Sequence, residues 1–395
     1  MKERFIYSDL VSHSKKKQVT VITGMRRVGK STAVKYILNH IDHSNYLYLD
    51  CERIEIRILF NTPNYGDIKN ELELMGLDFS QPALIALDEI QLVENLPSVI
   101  KYLYDTYNIK FVVTGSSSYY MKNQFSESLA GRKRIFEMYP LSFKEFLQFK
   151  EASVADYEKY AWQPFNKTWY NNFKSLYAEY IQYGGFPEVV LQEEPVDKIE
   201  LLKDIINSYI ELDVKLIADY AVSEDLYKLI KVLALRAGNK VDYTKLSSVT
   251  GINRQKISSY IGLFEFTYLI YQVAPFTKNI DKEISRQTKL YFADTGILNI
   301  LAGAQLSSGQ VFENAIAAQL KNLGTIQYYQ KKTGLEIDFI FNEDTALEVK
   351  ETPVQQDKQA VEQRASDIDI RKFFVVGRNP PNNCFVDFIW GGNIF

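Results

Sequence analysis

The residues with the most legible chemistry lie between Gln18 and Thr32, where the chain reads QVTVITGMRRVGKST. A β-branched run leads into Gly24, Met25, Arg26, Arg27, Val28, Gly29, Lys30, Ser31 and Thr32, and the apolar periodicity of AVKYILNHI follows. This is the GxxxxGK[ST] spacing in a strand–loop–helix setting. The glycines let backbone N–H groups turn inward around a phosphate, the lysine bridges β and γ oxygens, and the hydroxyl ligates magnesium. Lys30 and Ser31 take the last two roles. A glycine-bearing turn could match by chance, but the flanking elements here are those the motif requires. The ligands implied are ATP and Mg2+.

The apolar residues 83–87 end in Asp88 and Glu89. A buried parallel strand delivers acids in this way to the edge of an open α/β sheet, where ligands bind. Asp88 would hold the magnesium shell through water, and Glu89 would polarise the attacking water as general base. A third strand, residues 109–113, leads into Thr114, Gly115, Ser116, Ser117 and Ser118. Ser116 reads either as a hydroxyl sensing a γ-phosphate or as part of an ordinary polar turn. Further on, SLAGR ends in Arg132, followed by Lys133 and Arg134. Arg132 reads either as an arginine finger or as part of a solvated basic turn. A finger acting in trans would make a homo-oligomer part of catalysis.

A second constellation lies near the C-terminus. Glu313 sits in the amphipathic stretch VFENAIAAQL, Asp338 in LEIDFIF, and Glu348 and Lys350 in ALEVK. The period of two along a strand puts Glu348 and Lys350 on one face, the turn NEDT brings Asp338 alongside, and Glu313 reaches over from its helix. Carboxylates so placed would hold one or two Mg2+ ions that activate water, with the lysine positioning or deprotonating it. Hard magnesium takes oxygen ligands, which agrees with a chain of only three histidines, His13, His40 and His43. The competing reading is a set of surface acids on a strand pair, or a decayed site retained for binding.

Composition narrows the rest. Cys51 and Cys384 are far apart, which excludes a disulfide framework and a thiolate zinc site and fits a reducing, cytoplasmic compartment. No apolar run reaches about 18 residues and the start lacks a signal-like stretch, so no membrane segment is expected. With 46 basic against 49 acidic residues the formal net charge is -3, so DNA contact is expected only through local patches. A length of 395 residues implies two or three domains. Residues 141–222 read as a helical lid or connector whose aromatics pack a core rather than stack on bases. Residues 225–276 read as two short helices around Thr250 and Gly251 followed by a β pair, a winged helix-turn-helix pattern. Asn253, Arg254, Gln255 and Lys256 on its second helix suit either DNA phosphates and base edges or a protein neighbour.

The segments GMRRVGKST, LIALDEIQ, VVTGSSS, ESLAGR and YPLSFKEF together resemble the prokaryotic AAA-type ATPases related to origin-recognition and signal-transduction (STAND) ATPases. The resemblance continues through YGGFPE, KLYFADTG and VFEN, in the C-terminal region such ATPases carry. It implies an ATPase module, a helical and winged-helix middle and a C-terminal domain of restriction-endonuclease-like fold, whose metal sites use the same acid, Asp, Glu-x-Lys order. The expected fold is α/β: a P-loop parallel-sheet ATPase core over 1–140, a helical lid over 141–222, a winged helix over 223–280 and a restriction-endonuclease-like α/β domain over 281–395. The leading functional reading is an ATP-hydrolysing ATPase coupled to a DNA-binding C-terminal half, with Mg2+-dependent cleavage in its fuller form. The alternative is a nucleotide-dependent oligomerisation switch or protein-interaction scaffold with an inactive nuclease-like domain. A small-molecule kinase fits less well, because Glu89 supplies a water-activating acid.

Overall fold

The computed structural model describes residues 2–41, 44–116, 129, 131–152, 157–214, 223–277, 287–331, 334–381 and 385–395. They divide into two compact units, Met1–Tyr139 with Phe266–Tyr268, and Pro140–Glu265 with Leu269–Phe395.

The first unit is built on five parallel strands, β1 (Val19–Thr23), β2 (Tyr46–Asp50), β3 (Ala83–Asp88), β4 (Ile109–Gly115) and β5 (Lys133–Glu137). Their order is β2-β3-β4-β1-β5. VTVIT and ALIALD are buried along their whole length, as expected of central parallel strands with both faces covered. The helix Leu96–Thr106 shows how the faces are covered: Leu96, Val99, Ile100 and Leu103 recur at three- and four-residue spacing and are all buried in the unit's core. Parallel strands end together, so Gly24 after β1, Glu89 after β3 and Ser116 after β4 arrive along one edge of the sheet.

The second unit holds a mixed sheet of β6 (Ile270–Pro275), β7 (Lys289–Phe292), β8 (Ile326–Gln330), β9 (Glu336–Phe341), β10 (Thr345–Lys350), β11 (Lys372–Gly377) and β12 (Ile389–Trp390). The order is β12-β11-β10-β9-β8-β6-β7. β8, β9 and β10 form an antiparallel meander, and the helix Gln355–Ser366 carries the chain across to β11, parallel to β10.

The expected subdivision of residues 141–395 differs from this arrangement at two points. Residues 141–222 do not stand apart as a lid, because Phe143, Trp169 and Tyr177 share one core with Phe312, Leu347 and Trp390. The tie is polar as well as apolar: Trp169 Nε1 donates to Asn393 Oδ1 at 3.0 Å and the Tyr177 hydroxyl to Gln319 Oε1 at 2.8 Å. The boundary at residue 280 falls between two strands of one antiparallel pair, in which Ile270 lies opposite Phe292. β6 also pairs in parallel with β8, so the β pair following the helices Tyr243–Thr250 and Arg254–Phe266 is part of the larger sheet. Periodicity along a chain shows a strand but not its neighbour. Among the described residues, no helix is long and apolar enough to cross a membrane.

Candidate functional site

The loop after β1 has the backbone that its glycines permit. Gly24 has φ +154, and a Cβ there would lie 2.1 Å from the Met138 carbonyl oxygen; Gly29 has φ +100 and begins the helix Lys30–Leu38. No side chain caps that helix, which leaves its first N–H groups for an anion. Met25 and Val28 are buried, Arg26 pairs with Glu52 at 3.4 Å, and Arg27 is exposed at φ 63. Ser31 is half-buried and Thr32 exposed at the helix start. Lys30 is 4% exposed, and its ammonium donates to the carbonyl oxygens of Gly24 and Met25 at 3.0 and 3.1 Å. It also stands 3.6 Å from Glu89 Oε1.

The acids at the end of β3 and the hydroxyls at the end of β4 form one hydrogen-bonded set. Asp88, buried, accepts from the Tyr48 hydroxyl at 2.6 Å and from the Thr114 hydroxyl. Burial and the Asp88 charge push the Tyr48 phenol well above its ordinary range, so it stays a donor. Glu89 adopts a left-handed backbone, φ 50, with its N–H on Thr114 Oγ1 at 3.0 Å. Such a conformation costs a non-glycine residue on the order of 1 kcal/mol and is held by its surroundings. Gln91 Nε2 then donates to Glu89 Oε2 at 2.5 Å and to Ser116 Oγ at 3.1 Å, joining Glu89 and Ser116 through one amide.

Sequence reasoning passed over Gln91, Tyr48 and Arg4. Arg4 donates to the carbonyl oxygens of Val28 and Tyr139, pinning the loop from behind at 3.0 Å in each case. The period-two alternation of YLYLD was the available signal for Tyr48; nothing local marks Arg4, 24 residues away from Val28. The structure does not bring Arg132 to this site. The Val19 N–H donates to the Arg132 carbonyl at 2.8 Å, and β1 pairs Val19 with Lys133, so Arg132 lies at the opposite end of β1 from Gly24. Its guanidinium pairs with Asp105 at 3.2 Å. Ser117, Ser118, His43 and Cys384, named above, lie outside the described residues.

Residues 16–147 match the family described as AAA domain. The N-terminal unit carries an AAA-type P-loop ATPase domain. Residues 174–308 match a family described as a domain of unknown function. The chain is 29% identical over 368 residues to the uncharacterized protein MJ1544 of Methanocaldococcus jannaschii, covering 89% of this chain and 80% of that one. It is 28% identical over 334 residues to an uncharacterized protein of Haemophilus influenzae, covering 82% and 79%. Among solved structures, the Aeropyrum pernix ORC1 protein in complex with DNA is similar at a TM-score of 0.35 and 10% identity, over 75% of this chain and 90% of that one. The Thermotoga maritima RuvB Holliday junction branch migration motor is similar at 0.35 and 13%, over 69% and 90%. In the ATPase domain, the buried ammonium and the oxygen donors of Ser31 and Asp88 fit a nucleotide with its magnesium.

The C-terminal acids do not fit a metal in the same way. Among the described residues, no group of three or more His, Cys, Asp or Glu side chains is arranged to hold a metal ion. Leu347 and Val349 belong to the core shared with Phe312 and Ile316 of the helix Ser308–Leu323, whereas Ala346 packs with Val361 and Ala365 of the helix Gln355–Ser366. Strand alternation therefore turns Glu348 to the face away from the helix that carries Glu313. There Glu348 meets Lys350 Nζ at 2.8 Å and Arg364 Nη1 at 3.2 Å. Glu313 accepts from the Tyr291 hydroxyl at 2.7 Å and lies 3.6 Å from Lys289 Nζ, which also pairs with Glu336. Asp338 sits between the two sets and accepts from the Val349 N–H at 2.7 Å. Burial, with Glu348 and Glu313 near it, raises the Asp338 pKa well above the usual carboxylate range. The expected convergence of Glu313, Asp338, Glu348 and Lys350 on one point is thus replaced by two ion-paired sets. A cleft of about 670 Å3 opens beside Glu313 and Asp338, with Arg236, Lys240, Lys245 and Lys289 on its walls.

Proposed function

We propose that the chain binds and hydrolyses ATP and that its nucleotide cycle controls a DNA-engaging C-terminal half. The observation that carries the first part is Lys30, whose buried ammonium is held by the Gly24 and Met25 carbonyl oxygens beside Glu89. On this reading Lys30 moves to the β and γ oxygens of bound ATP, and the N–H groups at the head of the helix Lys30–Leu38 receive the phosphates. Ser31 and, through water, Asp88 would hold magnesium, which neutralises charge on the transferred phosphoryl group. Glu89 takes the proton of the attacking water as the bond to ADP breaks, and Gln91 with Ser116 holds Glu89 in line.

The DNA part is supported by the helix pair Tyr243–Thr250 and Arg254–Phe266 with the β6–β7 pair behind it, a winged helix-turn-helix order. Asn253, Arg254, Gln255 and Lys256 are all exposed, although Asn253 is partly committed to capping, accepting from the Gln255 N–H at 2.8 Å. Helix, meander, helix and strand in the order Ser308–Leu323, β8, β9, β10, Gln355–Ser366, β11 support a nuclease-like lineage for the rest. The ion pairs on Glu313 and Glu348 favour binding over cutting. A subunit contributing Arg132 to a neighbour would make the ATPase a homo-oligomer, the one route left to a residue at the far end of β1.

The deciding experiment is ATP turnover with and without single-stranded, duplex and branched DNA, alongside Lys30→Ala. We expect stimulation by DNA, and a loss of turnover of about 100-fold or more in the variant. Turnover indifferent to every DNA, with ATP-dependent assembly instead, would favour the switch or scaffold reading.

A further inference from the structure

We infer that Lys289 occupies the role of a built-in cation in the C-terminal acid cluster, closing it to divalent metals. The lysine opens β7, and its side chain is 6% exposed. Its ammonium pairs with Glu336 and stands 3.6 Å from Glu313 Oε1, on the acid that the metal-site order would assign to the helix. The Tyr291 hydroxyl, two residues on and therefore on the same face of β7, donates to that same oxygen at 2.7 Å. Gln330 donates to the other oxygen of Glu336 at 3.1 Å. Glu348 is held separately by Lys350 and Arg364.

The charge balance follows from these contacts. Glu313, Glu336, Asp338 and Glu348 are matched by Lys289, Lys350 and Arg364, which leaves at most one negative charge for a further cation. A divalent ion needs several free carboxylate oxygens, and here it would also meet a fixed ammonium on β7. The ammonium is the buried member of the set, and its departure would leave Glu313 and Glu336, each about a quarter exposed, without their cation. The cluster is thus an ion-pair network that supplies its own cation, and Gly238 lies against it on the cleft wall: a Cβ at that glycine would lie 3.3 Å from Glu313 Oε1. This inference goes beyond the ATPase reading and stands apart from it, since it concerns metal binding in the absence of nucleotide.

The test is Mn2+ binding to the nucleotide-free full chain, counted by electron paramagnetic resonance. Wild type and Asp338→Asn should bind the same amount of Mn2+. Lys289→Gln should gain one tightly held ion per chain, which the double variant Lys289→Gln with Asp338→Asn should lose; Lys289→Arg, keeping the charge, should gain none. Mn2+ held by wild type and lost in Asp338→Asn would overturn the inference, as would a folded Lys289→Gln that gains no ion. Should Lys289→Gln fail to fold, the comparison of wild type with Asp338→Asn decides alone. An inactive ATPase would leave each of these outcomes intact.

Discussion

At the scale of single residues, the proposed hydrolytic chemistry rests on Glu89. Its left-handed backbone, its N–H on Thr114 and its two flanking donors aim the carboxylate along the strand edge toward Lys30. Gln91 is the residue whose removal tests this organisation. The amide joins Glu89 to Ser116. Gln91→Ala should therefore lower kcat by roughly 10- to 100-fold, the scale of a misplaced general base, while leaving ATP affinity within about twofold. A variant with wild-type kcat would show that Glu89 needs no such support. Lys30 differs in kind: on the proposed reading it moves onto the nucleotide itself, so its loss should appear in both kcat and affinity.

At the scale of elements, two of the motifs that carry the family resemblance turn out to be one structural device. Asp294 caps the helix Thr295–Ala302 through the Ile297 N–H at 3.0 Å and accepts from the Gly185 N–H at 2.7 Å. Gly184, at φ +76, clears it by having no side chain: a Cβ would lie 2.1 Å from Asp294 Oδ1. YGGFPE and KLYFADTG are therefore a turn and a cap that lock together. Burial pushes the Asp294 carboxyl up to about 6, and the backbone N–H groups only partly offset this. Because the folded value lies above the unfolded one, the contribution of this group to stability is fully present below about pH 4 and is lost as pH rises through about 6. The change amounts to roughly 3 kcal/mol at most. Asp294→Asn should flatten that slope in denaturant unfolding followed between pH 4 and 7. A slope identical to wild type would remove Asp294 as its source. Gly184→Ala should destabilise by about 2 kcal/mol or more, since both the backbone angle and the space forbid a methyl group.

At the scale of the whole molecule, a formal net charge of -3 confines any polyanion to patches. Arg254 and Lys256 are the exposed cations at the start of the helix Arg254–Phe266, with Lys256 3.4 Å from Asp225 and over the Tyr260 ring. If the DNA reading holds, Arg254→Ala and Lys256→Ala should each reduce the slope of log affinity against log salt by about 1, as expected for the loss of one phosphate contact. DNA affinity with an unaltered salt slope in both variants would move the contact elsewhere, to the cleft walls at Arg236, Lys240 and Lys245. ATP turnover in the two variants without DNA should match wild type, which separates the DNA contact from the nucleotide site.

The parallel-sheet ATPase core and the residues of its loop were legible from sequence because they are local: a strand, a glycine-bearing turn and a helix in unbroken succession, then acids at the ends of apolar runs. Residue type and spacing point to that chemistry before any packing. What only the tertiary structure decided was convergence. It set Gln91 between Glu89 and Ser116, left Arg132 at the far end of β1, merged residues 141–222 into the core of the C-terminal sheet, and put Lys289 among the acids. The physical reason is the same in each case. Strand order, the face a side chain takes and the cation that reaches a buried carboxylate depend on which distant segments pack together, and periodicity along one chain carries no record of its neighbours.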